Sequence, residues 1–76
     1  MTITYSIEDA PPTLAEAQKL VGGYVERVRL LNALLLCDEE GRLKEKPLNR
    51  VASMIAQQVI VGDAIMLCGA ATEGWR

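Results

Sequence analysis

Few side chains in this sequence could carry out chemistry, and none of them is a histidine. Acid–base work at neutral pH would therefore need a carboxylate or lysine whose pKa is shifted by burial or neighbouring charges. Glu26 is the best candidate, because it shares a predicted strand face with Tyr24 and Val28 and would point inward if that face were the core. A buried carboxylate needs a partner, which Arg50 or the Asn49 side chain could supply. Glu26 is thus either a binding or catalytic carboxylate or, the interpretation we favour, part of a structural ion pair or a residue at the rim of the sheet.

Neither the acidic segment nor the two cysteines predicts a reactive site. Asp38, Glu39 and Glu40 are consecutive, so their side chains diverge and lack the alternate spacing of calcium loops. We expect them to form a solvated turn. Cys37 and Cys68 lie in apolar runs, which predicts buried, reduced and inert thiols. A structural zinc site needs about four ligands, which two cysteines do not supply. We therefore predict no metal, and in the absence of a reactive site we also predict no catalytic residue and no cofactor.

Cationic residues are concentrated in one part of the chain, although its net charge is −2. The candidate cationic surface comprises Arg27, Arg29, Arg42, Lys44 and Lys46. Acidic residues are interleaved with these, and basic residues do not alternate with aromatic ones as in proteins that stack single-stranded bases. The pattern favours a mixed, solvated face, and nucleic-acid binding is the less favoured interpretation.

Length and apolar content together predict self-association. A domain of 76 residues buries only about 60% of the surface that its unfolded chain exposes. Half of the residues are hydrophobic, and neither a disulfide nor a metal is predicted to supplement the small core. We therefore expect a homodimer or a bound partner.

The sequence also predicts a cytoplasmic protein that does not associate with membranes. No apolar run approaches the roughly 18 residues of a membrane-spanning helix. Residues 1–12 contain no lysine or arginine, so they do not resemble the basic start of a secretory signal.

The first half of the chain predicts a strand, a helix and a hairpin. Residues 2–8 alternate apolar and polar side chains, which is typical of a half-buried strand. Thr13 and Glu16 form a capping box ahead of a helix over residues 14–21, which Gly22 and Gly23 end. Strands over residues 24–31 and 33–37 then follow around a turn at Asn32.

The second half predicts a turn, a helix and a last strand. The turn spans residues 38–41, and residues 42–44 could add a short strand. Pro47 opens a helix with Asn49 as a possible N-cap. Its apolar positions recur at helical spacing and suggest packing across much of its circumference; they are Leu48, Val51, Ala52, Met54, Ile55 and Val59. Residues 64–68 predict a buried strand.

These elements predict one α+β domain over residues 1–76, with an ordered core at 2–69 and a loosely held tail at 70–76. The order is β-α-β-β-(β)-α-β, which gives a small mixed, mostly antiparallel sheet of four or five strands with two helices. Whether the helices cover one or both faces of the sheet is left open by the pattern.

Four segments of the chain together carry a family pattern. They are residues 20–26 (LVGGYVE), 38–43 (DEEGRL), 47–52 (PLNRVA) and 60–63 (IVGD). In order and spacing they resemble a family of small proteins of unknown function found in bacteria, their phages and plasmids. The resemblance brings no activity or cofactor with it. It implies that Glu26, Asn49 and Arg50 are motif positions, and it implies a mobile-element context.

The favoured functional hypothesis is a non-enzymatic protein-binding module, a homodimer that occupies a surface on a host or phage protein. By analogy with other small phage proteins, it could block a host protein or defence system, acting in the host cytoplasm. The alternative is an accessory nucleic-acid-binding protein that uses the cationic residues between positions 27 and 50. A third hypothesis, an enzyme working through Glu26, predicts a concave pocket around that residue.

Overall fold

The computed structural model describes all 76 residues, and its element order follows the sequence pattern closely. The strands are β1 (Thr4–Ile7), β2 (Val25–Arg29), β3 (Ala33–Asp38) and β4 (Ala64–Cys68). The helices are α1 (Leu14–Val21) and α2 (Arg50–Ala56), and a 3-10 helix, η1, follows β4 at Gly69–Thr72. The predicted α+β class with two helices is confirmed.

Helix α1 begins and ends where its local sequence predicts. The Thr13 hydroxyl accepts from the Glu16 amide at 3.1 Å, and the Glu16 carboxylate accepts from the Thr13 amide at 2.8 Å. This capping box satisfies two N–H groups that the first turn would otherwise leave free. At the other end Gly22 takes the left-handed conformation, with φ at 81°, and donates to the Gln18 carbonyl. Glycine tolerates this conformation without a steric penalty.

The four strands form one sheet in the order β1-β4-β3-β2. β2 and β3 form the predicted hairpin, β3 and β4 are also antiparallel, and β1 lies parallel to β4. The sheet is therefore mixed and mostly antiparallel, as predicted. β1 and β2 are its two edge strands.

The central strands are buried on both faces, which explains their continuous apolar sequence. Leu34 and Leu36 of β3 point to the same side as Ala17 and Val21 of α1. Leu35 lies in the second cluster on the opposite face, where Ala52 of α2 packs. The two helices thus cover opposite faces of the sheet, the point that the sequence left open.

Helix α2 is shorter and less buried than its periodicity predicts. It ends at Ala56, because Gln57 adopts the left-handed conformation with φ at 56°. Val59 therefore lies outside the helix. Ala52 is its only buried residue, whereas Val51 and Met54 are exposed. The prediction of packing across much of its circumference is wrong, because only the Ala52 side of this two-turn helix meets the sheet.

The optional fifth strand is also absent. Residues 42–44 form turns instead, with the Lys44 amide bonded to the Glu40 carbonyl and the Lys46 amide to the Gly41 carbonyl. These local hydrogen bonds use the backbone groups that a strand would have needed for pairing.

The segment over residues 70–76, predicted to be loosely held, packs against the core. Ala71 and Thr72 are buried, and Trp75 lies against the α1 side of the core. The Trp75 indole N–H donates to the Pro12 carbonyl at 3.0 Å, and Arg27 donates to the Trp75 carbonyl at 2.9 Å. The indole ring supplies the apolar area that the small residues around it lack.

None of the helices has the length and apolar character needed to cross a membrane.

Candidate functional site

Asp38, at the end of β3, is the buried acidic residue of this fold. It continues the alternation that places Leu34 and Leu36 on the α1 face, and it pairs with Val25 of β2. Its side chain is completely buried. The expectation that residues 38–40 form a solvated turn is therefore wrong for Asp38, although Glu39 and Glu40 are exposed.

Two lysines neutralise this carboxylate. Asp38 Oδ2 accepts from Lys44 Nζ at 2.9 Å and from Lys46 Nζ at 2.7 Å. Its Oδ1 accepts from the Glu40 amide at 2.9 Å. We call Asp38, Lys44 and Lys46 the Asp38 cluster.

The same lysines also bind the end of α1. Lys44 donates to the Gly22 carbonyl at 3.1 Å, and Lys46 donates to the Val21 carbonyl at 2.7 Å. Carbonyl groups at a helix C-terminus lack intrahelical partners and carry partial negative charge, so they favour cations. The Asp38 cluster thus joins α1, the end of β3 and the turn that follows β3.

The ionisation of Asp38 depends on two opposing effects, burial and the surrounding hydrogen-bond donors. Burial alone raises the pKa of its carboxyl, but the hydrogen bonds from Lys46, Lys44 and the Glu40 amide, together with the Lys46 charge, lower the pKa from 3.8 to about 2. The carboxylate is therefore ionised at neutral pH and its acceptors are occupied. This arrangement suits a structural role better than proton transfer.

Two glycines in the family-pattern segments leave space for the side chains of the Asp38 cluster. A Cβ at Gly23 would lie 2.5 Å from Lys44 Nζ and 2.7 Å from Asp38 Oδ1. A Cβ at Gly62, whose φ is +77°, would lie 2.7 Å from Lys46 Cδ. Three of the four segments singled out in the sequence, at residues 20–26, 38–43 and 60–63, therefore converge on this cluster.

Asn49 is a second polar contact point and is also structural. Its Oδ1 accepts from the Ala52 amide at 3.0 Å, which confirms it as the N-cap of α2, and from the Thr4 hydroxyl at 3.1 Å. Its Nδ2 donates to the Gly62 carbonyl at 3.0 Å. A buried amide with its donor and acceptor both occupied fixes α2 to β1 and to the segment before β4.

Glu26 does not occupy the buried position for which it was a candidate. It lies on the α2 face of β2, opposite Cys37 of β3, but it is exposed and its carboxylate makes no hydrogen bond or ion pair. Arg50 is exposed at the start of α2 and also makes no ion pair. The suggested Glu26 contact with Arg50 or Asn49 is therefore wrong, because the polar contact between helix and sheet is made by Asn49 and the Asp38 cluster.

Glu26 instead lies on the rim of an open groove of about 280 Å³. We call this the Glu26 groove. Its floor is formed by Cys37, Asp38, Ile60 and Val61, and its exposed rim by Glu26, Glu39, Arg42, Leu43, Gln58 and Val59. Leu43 is 82% exposed and Val59 is 54% exposed. The groove thus combines two accessible apolar side chains with charges of both signs.

The predicted cationic residues do not share one environment. Lys44 and Lys46 belong to the Asp38 cluster, and Arg27 bonds to the Trp75 carbonyl. Arg42 lies at the Glu26 groove, and Arg29 is exposed at the end of β2. Only the last two have no side-chain partner within the chain.

Both cysteines are free thiols, and Cys37 is buried. Burial, then the nearby charges of Glu26 and Asp38, raise the pKa of the Cys37 thiol to about 11. Cys68 is opposite Ala33 in the sheet, so it lies four strand residues, about 13 Å, from Cys37 and cannot form a disulfide with it.

Asp38 and its lysines are the residues that the sequence interpretation missed. The available signal was the two-residue alternation that continues from Leu34 through Leu36 to position 38. The lysines carried no local signal, because they meet Asp38 only when the turn folds back toward the end of α1, more than 20 residues earlier in the chain.

The fold and these contacts define a small α+β domain whose helices are fixed to a mixed sheet by buried polar groups. Residues 2–75 match the family model DUF3846, a domain of unknown function. The chain therefore belongs to the DUF3846 family. Comparisons with curated proteins and with solved structures gave no match.

Proposed function

We propose that this DUF3846 domain is a non-enzymatic protein-binding module, that it binds a partner protein at the Glu26 groove, and that it forms a homodimer. The observation that carries the proposal is the amount of accessible apolar surface. Ten large hydrophobic residues remain exposed on a chain of 76 residues. Two of them, Leu43 and Val59, lie together at the Glu26 groove, and apolar surface grouped in this way is typical of contact with another protein.

The Glu26 groove supplies the arrangement of side chains that a protein partner would need. Leu43 and Val59 form its accessible apolar part, and Glu26, Glu39 and Arg42 supply charge around it. Protein interfaces commonly have an apolar centre that provides affinity and a polar rim that provides specificity. A groove of about 280 Å³ lies at the lower end of the range for small-molecule pockets, roughly 300–1,000 Å³, and this size also suits one or two side chains of a protein partner.

The polar residues near the groove support a binding role over a catalytic one. An enzyme working through Glu26 would show a concave pocket there, and the groove meets that expectation in part. However, Glu26 has no base, acid or cation within hydrogen-bonding distance. Asp38 has its oxygens occupied, and the raised pKa of the Cys37 thiol keeps it protonated and a poor nucleophile.

The distribution of cations weakens the nucleic-acid alternative. Lys44 and Lys46 share the carboxylate of Asp38 and donate to carbonyl groups, so few of their donors remain for phosphates. Arg29 and Arg42 alone would make few of the phosphate contacts on which such binding depends.

The resemblance to small proteins of bacteria, phages and plasmids extends the proposal to the kind of partner. In that context the bound protein belongs to the host cell or the phage, and occupation of its surface blocks its activity, including that of a defence system. The site of action is the host cytoplasm.

The experiment is a capture from host lysate with the full chain as bait, combined with matched groove variants. Leu43→Asp together with Val59→Asp places two charges in the apolar part of the groove, and we expect this variant to lose the captured protein. Leu31→Asp is the control, because Leu31 is more exposed than either groove residue but lies in the turn between β2 and β3.

Each result has a defined meaning. Capture lost in the groove variant and kept in the control, with both variants folded by circular dichroism, supports the proposal. Equal capture by the wild type and the groove variant would contradict binding at the groove. Salt-sensitive retention of DNA or RNA by the wild type would support the nucleic-acid alternative.

A further inference from the structure

We propose that the outer edge of β1 pairs antiparallel with β1 of a second copy, across a two-fold axis beside Tyr5. The inference rests on the proposed homodimer and names the surface and strand register that form it. It joins two four-stranded sheets into one sheet of about eight strands. The Glu26 groove, at the opposite end of the strand order, stays free for a partner protein.

The two edges of the sheet differ in how they are protected. β2 carries Glu26, Arg27 and Arg29 among its five residues, and charged side chains on an edge strand discourage pairing with another chain. β1 has the sequence TYSI, with no charge and no proline. No element of the chain is hydrogen-bonded to its outer side, since β1 is the terminal strand of the sheet. β1 is therefore the edge that is open to strand addition.

The backbone groups available on β1 follow from its pairing with β4. The Ala64 amide donates to the Ile3 carbonyl at 3.0 Å, and the Ile3 amide donates to Asp63 Oδ1 at 2.8 Å. Residues in a parallel ladder alternate in the direction of their N–H and C=O groups. Since Ile3 faces β4, Tyr5 and Ile7 face it too, and Thr4 and Ser6 direct their backbone groups outward.

This alternation limits the register, because antiparallel pairing of two β1 strands must place outward-directed residues opposite each other. The register that pairs both outward residues within β1 sets Thr4 opposite Ser6 of the second copy and Ser6 opposite Thr4. Each such pair exchanges two N–H···O=C hydrogen bonds. The axis then passes beside Tyr5, which faces Tyr5 of the second copy in a pair without backbone hydrogen bonds.

Side chains on both faces of β1 fit a second copy in this register. Ile3, 47% exposed, lies opposite Ile7 of the second copy, so apolar residues meet across the axis. Thr2 lies opposite Glu8 of the second copy. Lys19 lines the same surface depression as Thr2, so it is placed to attract that carboxylate. The complementarity of Lys19 with Glu8 at both ends favours an identical partner over an unrelated strand.

Residues beside the edge supply the area that strand pairing alone lacks. Leu48 and Val51 are exposed and line a depression with Thr2 and Thr4 on the α2 side of β1. A standard interface covers about 800 Å² of each partner, and the chain has 4925 Å² in total. An interface of that size would cover about one sixth of the chain's surface, so strand pairing needs these flanking apolar residues to reach it.

The test is the oligomeric state of the full chain and two proline variants by sedimentation equilibrium. Ser6→Pro removes an outward N–H of β1 that the chain itself does not use, so the fold is retained while pairing is blocked. Arg29→Pro is the matched control, because the Leu30 amide bonds to Ala33 in the hairpin and Arg29 therefore directs its own N–H outward from β2. We expect a wild-type dimer, at least tenfold weaker dimerisation of Ser6→Pro, which is about 1.4 kcal/mol, and an unchanged dimer for Arg29→Pro.

Amide hydrogen exchange keeps the inference testable if Ser6→Pro does not fold. The Thr4 and Ser6 amides of the wild type should exchange more slowly as protein concentration rises, whereas the Arg27 and Arg29 amides should not. Ser6→Lys, which adds an edge charge without altering the backbone, should also weaken the dimer.

The outcomes separate this inference from the proposed function. A wild-type dimer that Ser6→Pro and Ser6→Lys leave intact would overturn the β1 interface while the proposed homodimer stands. A wild type that is strictly monomeric at tens of micromolar would overturn both the interface and the homodimer. Protection of Thr4 and Ser6 only in the presence of another protein would show strand addition by that protein and overturn pairing between copies.

Discussion

The central role of Asp38 can be tested by Asp38→Asn, which removes its charge and keeps its shape. The asparagine oxygen can still accept hydrogen bonds, but the amide carries no negative charge to offset the two ammonium groups. Lys44 and Lys46 would then face each other without a counterion while still directed at the carbonyls of Gly22 and Val21. The contact between α1 and the end of β3 should weaken.

The size of the effect can be estimated in two ways. Lowering the pKa of Asp38 from 3.8 to about 2 corresponds to about 2 kcal/mol of stability at neutral pH. Removing one member of a buried ion pair costs about 3–5 kcal/mol, but Lys44 and Lys46 keep 40% and 22% of their side-chain surface exposed, so solvent screening reduces that figure. We expect Asp38→Asn to lower the free energy of unfolding by about 2–4 kcal/mol.

Urea denaturation followed by circular dichroism measures this loss. Glu40→Gln is the control, because it makes the same change of charge at an exposed neighbour whose side chain has no partner, and it should cost less than about 0.5 kcal/mol. Since a core of this size rarely supplies more than about 3–5 kcal/mol, Asp38→Asn could be largely unfolded. Lys44→Met, at the more exposed lysine, provides a milder variant with an expected loss of about 1 kcal/mol.

The pH dependence gives the result that would refute this reasoning. The folded-state pKa of Asp38 is lowered, so its contribution is complete above the unfolded value of 3.8 and is lost as pH falls toward about 2. The stability difference between wild type and Asp38→Asn should therefore be constant near neutral pH and disappear across that window. A loss no larger than that of Glu40→Gln, or one independent of pH down to about 2, would show that the cluster does not stabilise the fold.

Two further predictions concern glycine packing and the buried thiol. Gly62→Ala and Gly74→Ala both place alanine at a positive φ, +77° and +81°, which costs about 1–2 kcal/mol. Gly62→Ala should lose more stability in urea denaturation, because its Cβ would lie 2.7 Å from Lys46 Cδ whereas Gly74 has nothing within 4 Å. Equal losses would contradict the packing around Gly62. Because burial raises the pKa of the Cys37 thiol to about 11, iodoacetamide at mildly alkaline pH should alkylate Cys68 of the native protein well before Cys37. Mass spectrometry of the labelled peptides measures both alkylation rates. Similar rates would show that Cys37 is accessible.

Local sequence predicted the elements that depend on local contacts. The bounds of helix α1 are those predicted from its capping box and its terminal glycine, and the bounds of β4 are those of its five-residue apolar run. Strand β2 was predicted from its two alternating faces and β3 from its continuous apolar run, and the turn residue Asn32 between them was enough to predict a hairpin. Asn49 was predicted as an N-cap because that role depends on residues within one turn of the helix.

The errors arose where distant contacts decide the outcome. The periodicity from Ala52 to Val59 suggested a longer α2, but Gln57 turns left-handed and Ile60 instead bonds to the Ser53 hydroxyl and the Asn49 amide. Trp75 appeared alone in a polar tail, and only the fold brings Pro12 to its indole.

The errors about the candidate site residues also arose where distant contacts decide the environment of a side chain. Glu26 was placed on the correct strand, opposite Cys37, but whether a strand face is covered depends on a helix elsewhere in the chain. Here no helix covers Glu26, which is exposed and borders an open groove. Asp38 looked like part of a surface turn because its neutralising lysines contact it only after the turn has folded back onto α1.

The Asp38 cluster also restricts how this chain can vary in length. The segment from Asp38 to Lys46 spans a fixed gap, since both lysine side chains must reach the carboxylate and the final carbonyls of α1 together. One inserted residue would shift at least one of the two ammonium groups away from these acceptors. Insertions should therefore be tolerated in the exposed turn at Leu31 and Asn32, whereas the loop containing Leu43 should accept substitutions but not insertions.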